Sequence, residues 1–296
     1  MHIITNDFNL KHTIESGQFF RYEKIKDYYY VIVQDKFFKI RQHDNKLEFE
    51  GANKKFVRKF LGLESDFEQI KKHIAKDENI KKILAQYSGI RIMQQHPGEA
   101  LIAFICSSAS NIPKITMNVN LLAKKFGKKI NFENQTNYLF PKIGQINNFE
   151  KIKECKVGFR AKYIFEANKI AKEILNNAEK MTYFDALQEL TKIPGVGEKI
   201  ADCVLLFGFN RLEAFPVDVW IKRVVEELYF ENKEQNIKEI KKFGIQKFGE
   251  YAGYANQYLY HWRRNLGQTN NSAPAPGLPV LRFEHRKVFE PGHPYG

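Results

Sequence analysis

A chain of 296 residues with 43% hydrophobic residues, 25 Phe and 14 Tyr has the apolar surface for one large core or two modest ones, which excludes disorder as its main state. Its 47 Lys and Arg against 34 Asp and Glu give a net charge of +13 and favour a polyanionic partner, although lysine and asparagine are abundant throughout, as an AT-rich genome would produce. Three scattered cysteines, Cys106, Cys155 and Cys203, with no C-x-x-C pair and no His at metal-ligand spacing, argue against a disulfide framework or structural zinc.

The opening MHIITNDFNLKH lacks a basic segment followed by an apolar run, and no stretch approaches the ~18 apolar residues of a membrane span. The expected location is therefore the cytosol of a bacterium or archaeon, near its nucleoid, with no membrane partner. Residues 19 to 50 hold β-branched and aromatic runs broken by short turns rich in Asp, Asn and Lys, the pattern of an antiparallel meander. From about residue 54 the apolar period becomes helical and is expected to stay so to about residue 265. Helices are predicted over 98–107, 112–127, 159–177, 182–192, 198–209, 218–229, 234–248 and 250–265.

Strands followed by helices predict an α+β protein: an antiparallel β domain with flanking helices over 1–85, then an all-helical domain over 86–267. The last 29 residues hold five of the ten prolines, one lysine and no isoleucine, and read as a disordered or vector-derived tail over 268–296.

Between FDALQELTKI and KIADCVLLF lies PGVG, so a turn of Gly195, Val196 and Gly197 joins two helices. Its glycines tolerate positive φ and leave backbone N–H groups at the second helix's start open to a phosphate, a grip on DNA backbone that reads no sequence. Lys199 sits in that helix's first turn, where the dipole disfavours a cation. Partial burial and the positive helix end would leave a neutral amine able to attack carbon as a nucleophile; a phosphate-contacting or solvated lysine is the other reading. Nineteen residues on, Asp218 precedes an apolar helical pattern, where it can cap the helix and also stabilise positive charge on a sugar as a glycosidic bond breaks.

These residues resemble the helix-hairpin-helix glycosylase superfamily, specifically the 8-oxoguanine DNA glycosylases. IPGVGEKIADC followed by FPVDV carries the lysine and aspartate; SGQFFRY, ALIAFICSSASNIPKI, KVGFRAKYI and YAGYANQYLY extend the likeness over nearly the whole chain before the tail. The resemblance implies a monomeric enzyme that flips the damaged base out of duplex DNA, attacks the sugar C1′ through Lys199 with support from Asp218, and cleaves the strand by β-elimination from the Schiff base. It further implies a pocket in which Cys203 and Tyr260 sandwich the base and the Gly17 carbonyl accepts N7–H, a proton that guanine lacks. Phe159 matches an aromatic wedge, and Arg160 beside it would reach the opposite base or a phosphate. No redox cofactor or catalytic metal is implied, although the resemblance allows a monovalent cation on hairpin carbonyls.

Four positions depart from the family pattern. Ala109 and Lys114 stand where members that require cytosine opposite the lesion carry asparagine and arginine, which predicts relaxed opposite-base preference. Asn256 stands where a glutamine reads the Watson–Crick edge, with Gln257 next to it. Trp220 replaces a phosphate-contacting histidine. Related iron–sulfur glycosylases carry four C-terminal cysteines, whereas this chain has none after Cys203, and alkylated-base glycosylases lack the lysine. A non-catalytic protein using the hairpin only as a DNA grip would show salt-sensitive binding indifferent to lesions.

Overall fold

The computed structural model describes residues 1–266, so the expected tail lies outside the described residues. The chain opens with β1 (His2–Ile4) and α1 (Leu10–Ile14), then runs through the meander β2 (Tyr22–Ile25), β3 (Tyr28–Val33), β4 (Lys36–His43) and β5 (Lys46–Glu50). All pairings are antiparallel in the order β1-β5-β4-β3-β2. Each two-residue hairpin loop puts its first residue, Lys26, Gln34 or Asp44, at positive φ, which suits the right-handed twist of the flanking strands. One sheet face buries Val31, Phe38, Ile40, Leu47 and Phe49 against α1 and α2 (Lys54–Phe60).

Beyond α2 come α3 (Phe67–Ile74), α4 (Glu78–Gln86), α5 (Pro97–Cys106) and α6 (Ile112–Phe126). The expected unbroken helical run is then interrupted by a hairpin, β6 (Lys129–Phe132) and β7 (Gln135–Tyr138), whose Phe132 packs on Phe37 of the main sheet. Alternating residues in KINF and QTNY, too short to register as a period, mark this segment only in hindsight. It is followed by α7 (Phe149–Lys153), α8 (Arg160–Ala178), α9 (Tyr183–Thr191), α10 (Glu198–Phe209), α11 (Val219–Tyr229), α12 (Ile237–Phe248) and α13 (Ala252–Asn265). The expected helices from residue 98 onward all form, within a few residues of their anticipated ends.

Packing divides the chain earlier than residue 85. Phe67, Ile70, Ile74, Ile80 and Ile83 of α3 and α4 belong to the helical core, whereas the sheet's core ends around Leu63 apart from Met93. The centre of the helical layer is α10, buried from Ile200 to Phe207 and packed against α5 and α9. Against the other side of the layer stands α13, carrying fully buried Tyr254, Tyr258 and Trp262. Among the described residues no helix is long and apolar enough to cross a membrane.

Candidate active site

The site grows from the turn between α9 and α10. Gly195 has φ +83°, and a methyl on it would lie 2.5 Å from the Tyr163 ring, so both backbone and space demand glycine. Val196 is not placed as a DNA contact: its side chain is buried and its amide donates to the Ile193 carbonyl at 3.0 Å, closing the turn from within. Gly197 is exposed and begins α10 without any side-chain cap. Most helices here are capped by Asn, Asp, Thr or His, whereas α8, α10 and α13 begin without a side-chain cap. At α10 this leaves first-turn N–H groups to solvent or to an incoming anion, whereas at α8 the Arg160 and Ala161 amides donate to the Val157 and Gly158 carbonyls.

Half-buried Lys199 lies one residue into α10, with its Nζ 3.0 Å from Ser107 Oγ and 5.5 Å from the centre of the Phe104 ring. Ser107 caps the C-terminus of α5 and donates its own hydroxyl proton to the Phe104 carbonyl at 2.7 Å, so toward Lys199 it acts as an acceptor. Two helix ends of opposite sign therefore meet at this amine. The positive end of α10 disfavours a cation there, and the negative end of α5 offsets it. Sequence reading missed Ser107, whose C-capping position in FICSS carries no chemical signal of its own.

Asp218 is the N-cap of α11, accepting from the Ile221 amide at 2.8 Å. Its charge is also felt by the Cys203 thiol and the Tyr260 phenol, so the carboxylate stands near both. Cys203, one turn beyond Lys199, is 4% exposed, and burial pushes its thiol up to about 12, so it is a neutral, polarizable surface at working pH. The Tyr260 phenol is also raised, first by burial and then by Asp218, with nearby Arg264 acting the other way.

From the opposite end of the chain, Gly17 enters the same space at φ +83°; a methyl there would stand 3.1 Å from Tyr260 Cε1. The SGQ turn is fixed by Gln18, fully buried, whose Nε2 donates to the Thr13 and Arg91 carbonyls and whose Oε1 accepts from the Met93 amide. Gln257 donates to the Ser16 carbonyl at 3.0 Å and Asn256 to the Pro216 carbonyl at 2.9 Å. The two amides thus tie α13 to the two loops that bring Gly17 and Asp218. Asn256 shares its helix face with Tyr260, four residues on, whereas Gln257 is turned to the loop that carries Gly17.

Residues expected at the DNA surface divide. Phe159, at the bare start of α8, is 61% exposed and Trp220, beside Asp218, 45%. Lys114 is exposed in the first turn of α6. Arg160 differs from expectation: it is 3% exposed, with Nε on the Ser108 carbonyl at 2.7 Å, Nη1 on Val157 at 3.0 Å and Nη2 on Ala109 at 2.8 Å. A buried guanidinium must spend its donors on fixed acceptors, so it staples the loop between α5 and α6 rather than extending toward DNA. That loop holds exposed Ala109 at φ +45°, a left-handed backbone that a residue with a Cβ adopts only when held.

Behind the site, on the other flank of α10, Lys241 of α12 is buried against Asp202 at 2.8 Å and Glu198 at 3.2 Å, while Tyr183 donates to Asp202 at 2.6 Å. This cluster locks α9, α10 and α12 together beneath the hairpin. Among the described residues no three His, Cys, Asp or Glu side chains gather as a metal site.

Comparison with known proteins is consistent with this geometry. Residues 1–101 match the family model of the 8-oxoguanine DNA glycosylase N-terminal domain. The N-glycosylase/DNA lyase of Saccharomyces cerevisiae is 30% identical over 278 residues, covering 80% of this chain and 72% of that protein. The structure of MBOgg1 in complex with a low-affinity DNA ligand superposes with a TM-score of 0.86 at 36% identity, covering 90% of this chain and 96% of that one. The 8-oxoguanine glycosylase/lyase of Clostridium acetobutylicum, solved with double-stranded DNA containing cytosine opposite 8-oxoG, gives 0.85 at 30% identity, covering 90% and 98%.

Proposed function

The chain belongs to the 8-oxoguanine DNA glycosylase/lyase family, and from that premise we propose that Lys199 is its nucleophile and Asp218 the carboxylate that supports base release. The enzyme excises 8-oxoguanine from duplex DNA and cleaves the strand at the resulting site. The observation that carries the residue assignment is the setting of Lys199: half-buried on a hydroxyl acceptor, without a carboxylate at ion-pair distance among the described residues, beside Cys203 and Asp218.

In this reading the uncapped amides of α10 hold a phosphate, and Phe159 enters the gap as the base swings out. Extrusion costs a few kcal/mol, offset by contacts between Cys203 and Tyr260. As the C1′–N9 bond breaks, its electron pair leaves with the base, which gains a proton, while Asp218 stabilises the positive charge growing on the sugar. Lys199 Nζ bonds to C1′ and gives up a proton; opening of the C1′–O4′ bond then yields the Schiff base. Loss of a C2′ proton expels the 3′ phosphate, and water later frees the lysine.

Ala109 and Lys114 cannot form the amide and guanidinium grip on an opposite cytosine, so the opposite base is read loosely. A monomer acting in the cytosol fits this reading. Borohydride trapping on an 8-oxoguanine duplex tests the nucleophile: the unaltered protein forms a covalent adduct and Lys199→Gln forms none. Equal trapping by the variant sinks the assignment, and lesion-indifferent binding without base release would reduce the hairpin to a DNA grip.

A further inference from the structure

Oxidation alters guanine at two adjacent positions: N7 changes from acceptor to donor, and C8–H becomes a carbonyl. The Gly17 carbonyl accounts for the first change and leaves the second unread. We propose that Arg264 is the residue that reads the oxygen on C8, an inference that rests on the pocket described above.

On α13, Arg264 lies one turn beyond Tyr260 and leans over Gly17; a methyl on Gly17 would sit 2.8 Å from Arg264 Nη1. The guanidinium is already oriented. Its Nη2 donates to the Glu15 carbonyl, two residues before Gly17, and its centre lies 6.0 Å from the Tyr260 ring. Nη1 is shut off from solvent and, among the described residues, meets no acceptor at full bonding geometry; the Tyr260 phenol is the one group that answers the guanidinium there. A buried cationic donor so weakly partnered is costly, and here it borders the surface assigned to the base's imidazole edge. With N7–H on the Gly17 carbonyl, the oxygen is carried by the adjacent ring atom C8, two bonds from N7, within reach of a guanidinium packed beside Gly17. Guanine offers neither contact: its N7 lone pair opposes the Gly17 carbonyl, and its C8–H leaves Nη1 unpaired. Charge-assisted bonds are about twice as strong as neutral ones, and a guanidinium keeps its charge at every working pH.

The test compares two duplexes, one carrying 8-oxoguanine and one a preformed abasic site, which has no base to read. Arg264→Met is expected to slow single-turnover release of 8-oxoguanine by about ten- to a hundred-fold, to cut abasic cleavage far less, and to erode the binding preference for lesion over guanine. Arg264→Lys, which keeps one charged donor, recovers part of the loss. Wild-type rates in Arg264→Met overturn the proposal. So do equal losses on both duplexes, which would make Arg264 only a brace for the Glu15 carbonyl. Failure of the unaltered protein to trap on the abasic duplex would instead remove the nucleophile, and the base pocket with it.

Discussion

Two lysines, Lys199 in the first turn of α10 and Lys241 packed against that helix from α12, stand in opposite circumstances. Lys241 is buried, paired with Asp202 and Glu198, and lies 5.8 Å from the Tyr183 ring; every nearby group answers its charge. Lys199 is half-buried, meets one hydroxyl, and has no carboxylate at ion-pair distance among the described residues. The difference separates structure from chemistry. The paired ammonium ties α10 to α12, whereas the one resting on a hydroxyl is free of any ion pair that a reaction would have to break. The adjacent residues follow the same split, with Asp202 locked into the ion pair and Cys203 facing Lys199 and Asp218.

The sharpest way to break this comparison is to remove the paired lysine. Lys241→Met leaves the Asp202 carboxylate buried and uncompensated and is expected to lower unfolding free energy by about 3–5 kcal/mol in denaturant titration. Per folded molecule, borohydride trapping should persist; its loss in protein of unaltered stability would give Lys241 a chemical role. Next, Asp218→Asn retains the helix cap but not the charge, and base release should slow by about 10²–10³-fold in single turnover. Unaltered rates would make Asp218 a cap and nothing else.

A smaller effect is expected at Ser107. Replacement by Ala removes the one hydrogen bond of the Lys199 amine among the described residues and should slow trapping by roughly ten-fold, with Ser107→Thr restoring it. The smallest concerns pH. Burial raises the folded Cys203 thiol from 9.0 to about 12, so its contribution to stability is complete below 9 and is lost as pH climbs toward 12. Cys203→Ser should flatten that alkaline limb of the stability profile. A slope unaltered by the substitution would place the thiol in a wetter setting than its burial indicates.

Much of this was legible in the chain itself. The meander could be read because alternating residues face one core and its turns are marked by Asp and Asn, and the hairpin because Pro and Gly interrupt two apolar helical patterns. Lys199 and Asp218 are singled out by the hairpin and the helix start that follows it, whereas Gly17, Cys203 and Tyr260 are named only through the family resemblance carried by segments across the chain. The β6–β7 hairpin was missed because its strands are four residues each and half exposed, giving no clear period. The resemblance points Arg160 at DNA because it follows Phe159, the match to the family's wedge aromatic. Only packing shows that its guanidinium turns inward to carbonyls some 50 residues away, on Ser108 and Ala109.

What the sequence determined by itself are the elements and the reactive residue types, since both are set by local periodicity and by side-chain chemistry. What the tertiary structure decided are the partners. Ser107 meets Lys199 across 92 residues, Arg264 reaches the Glu15 carbonyl across 249, and Lys241 answers Glu198 across 43. Whether a lysine is a strut or a nucleophile, or an arginine a staple or a reader, depends on which acceptors the fold brings within 3 Å or so, a distance no linear spacing encodes.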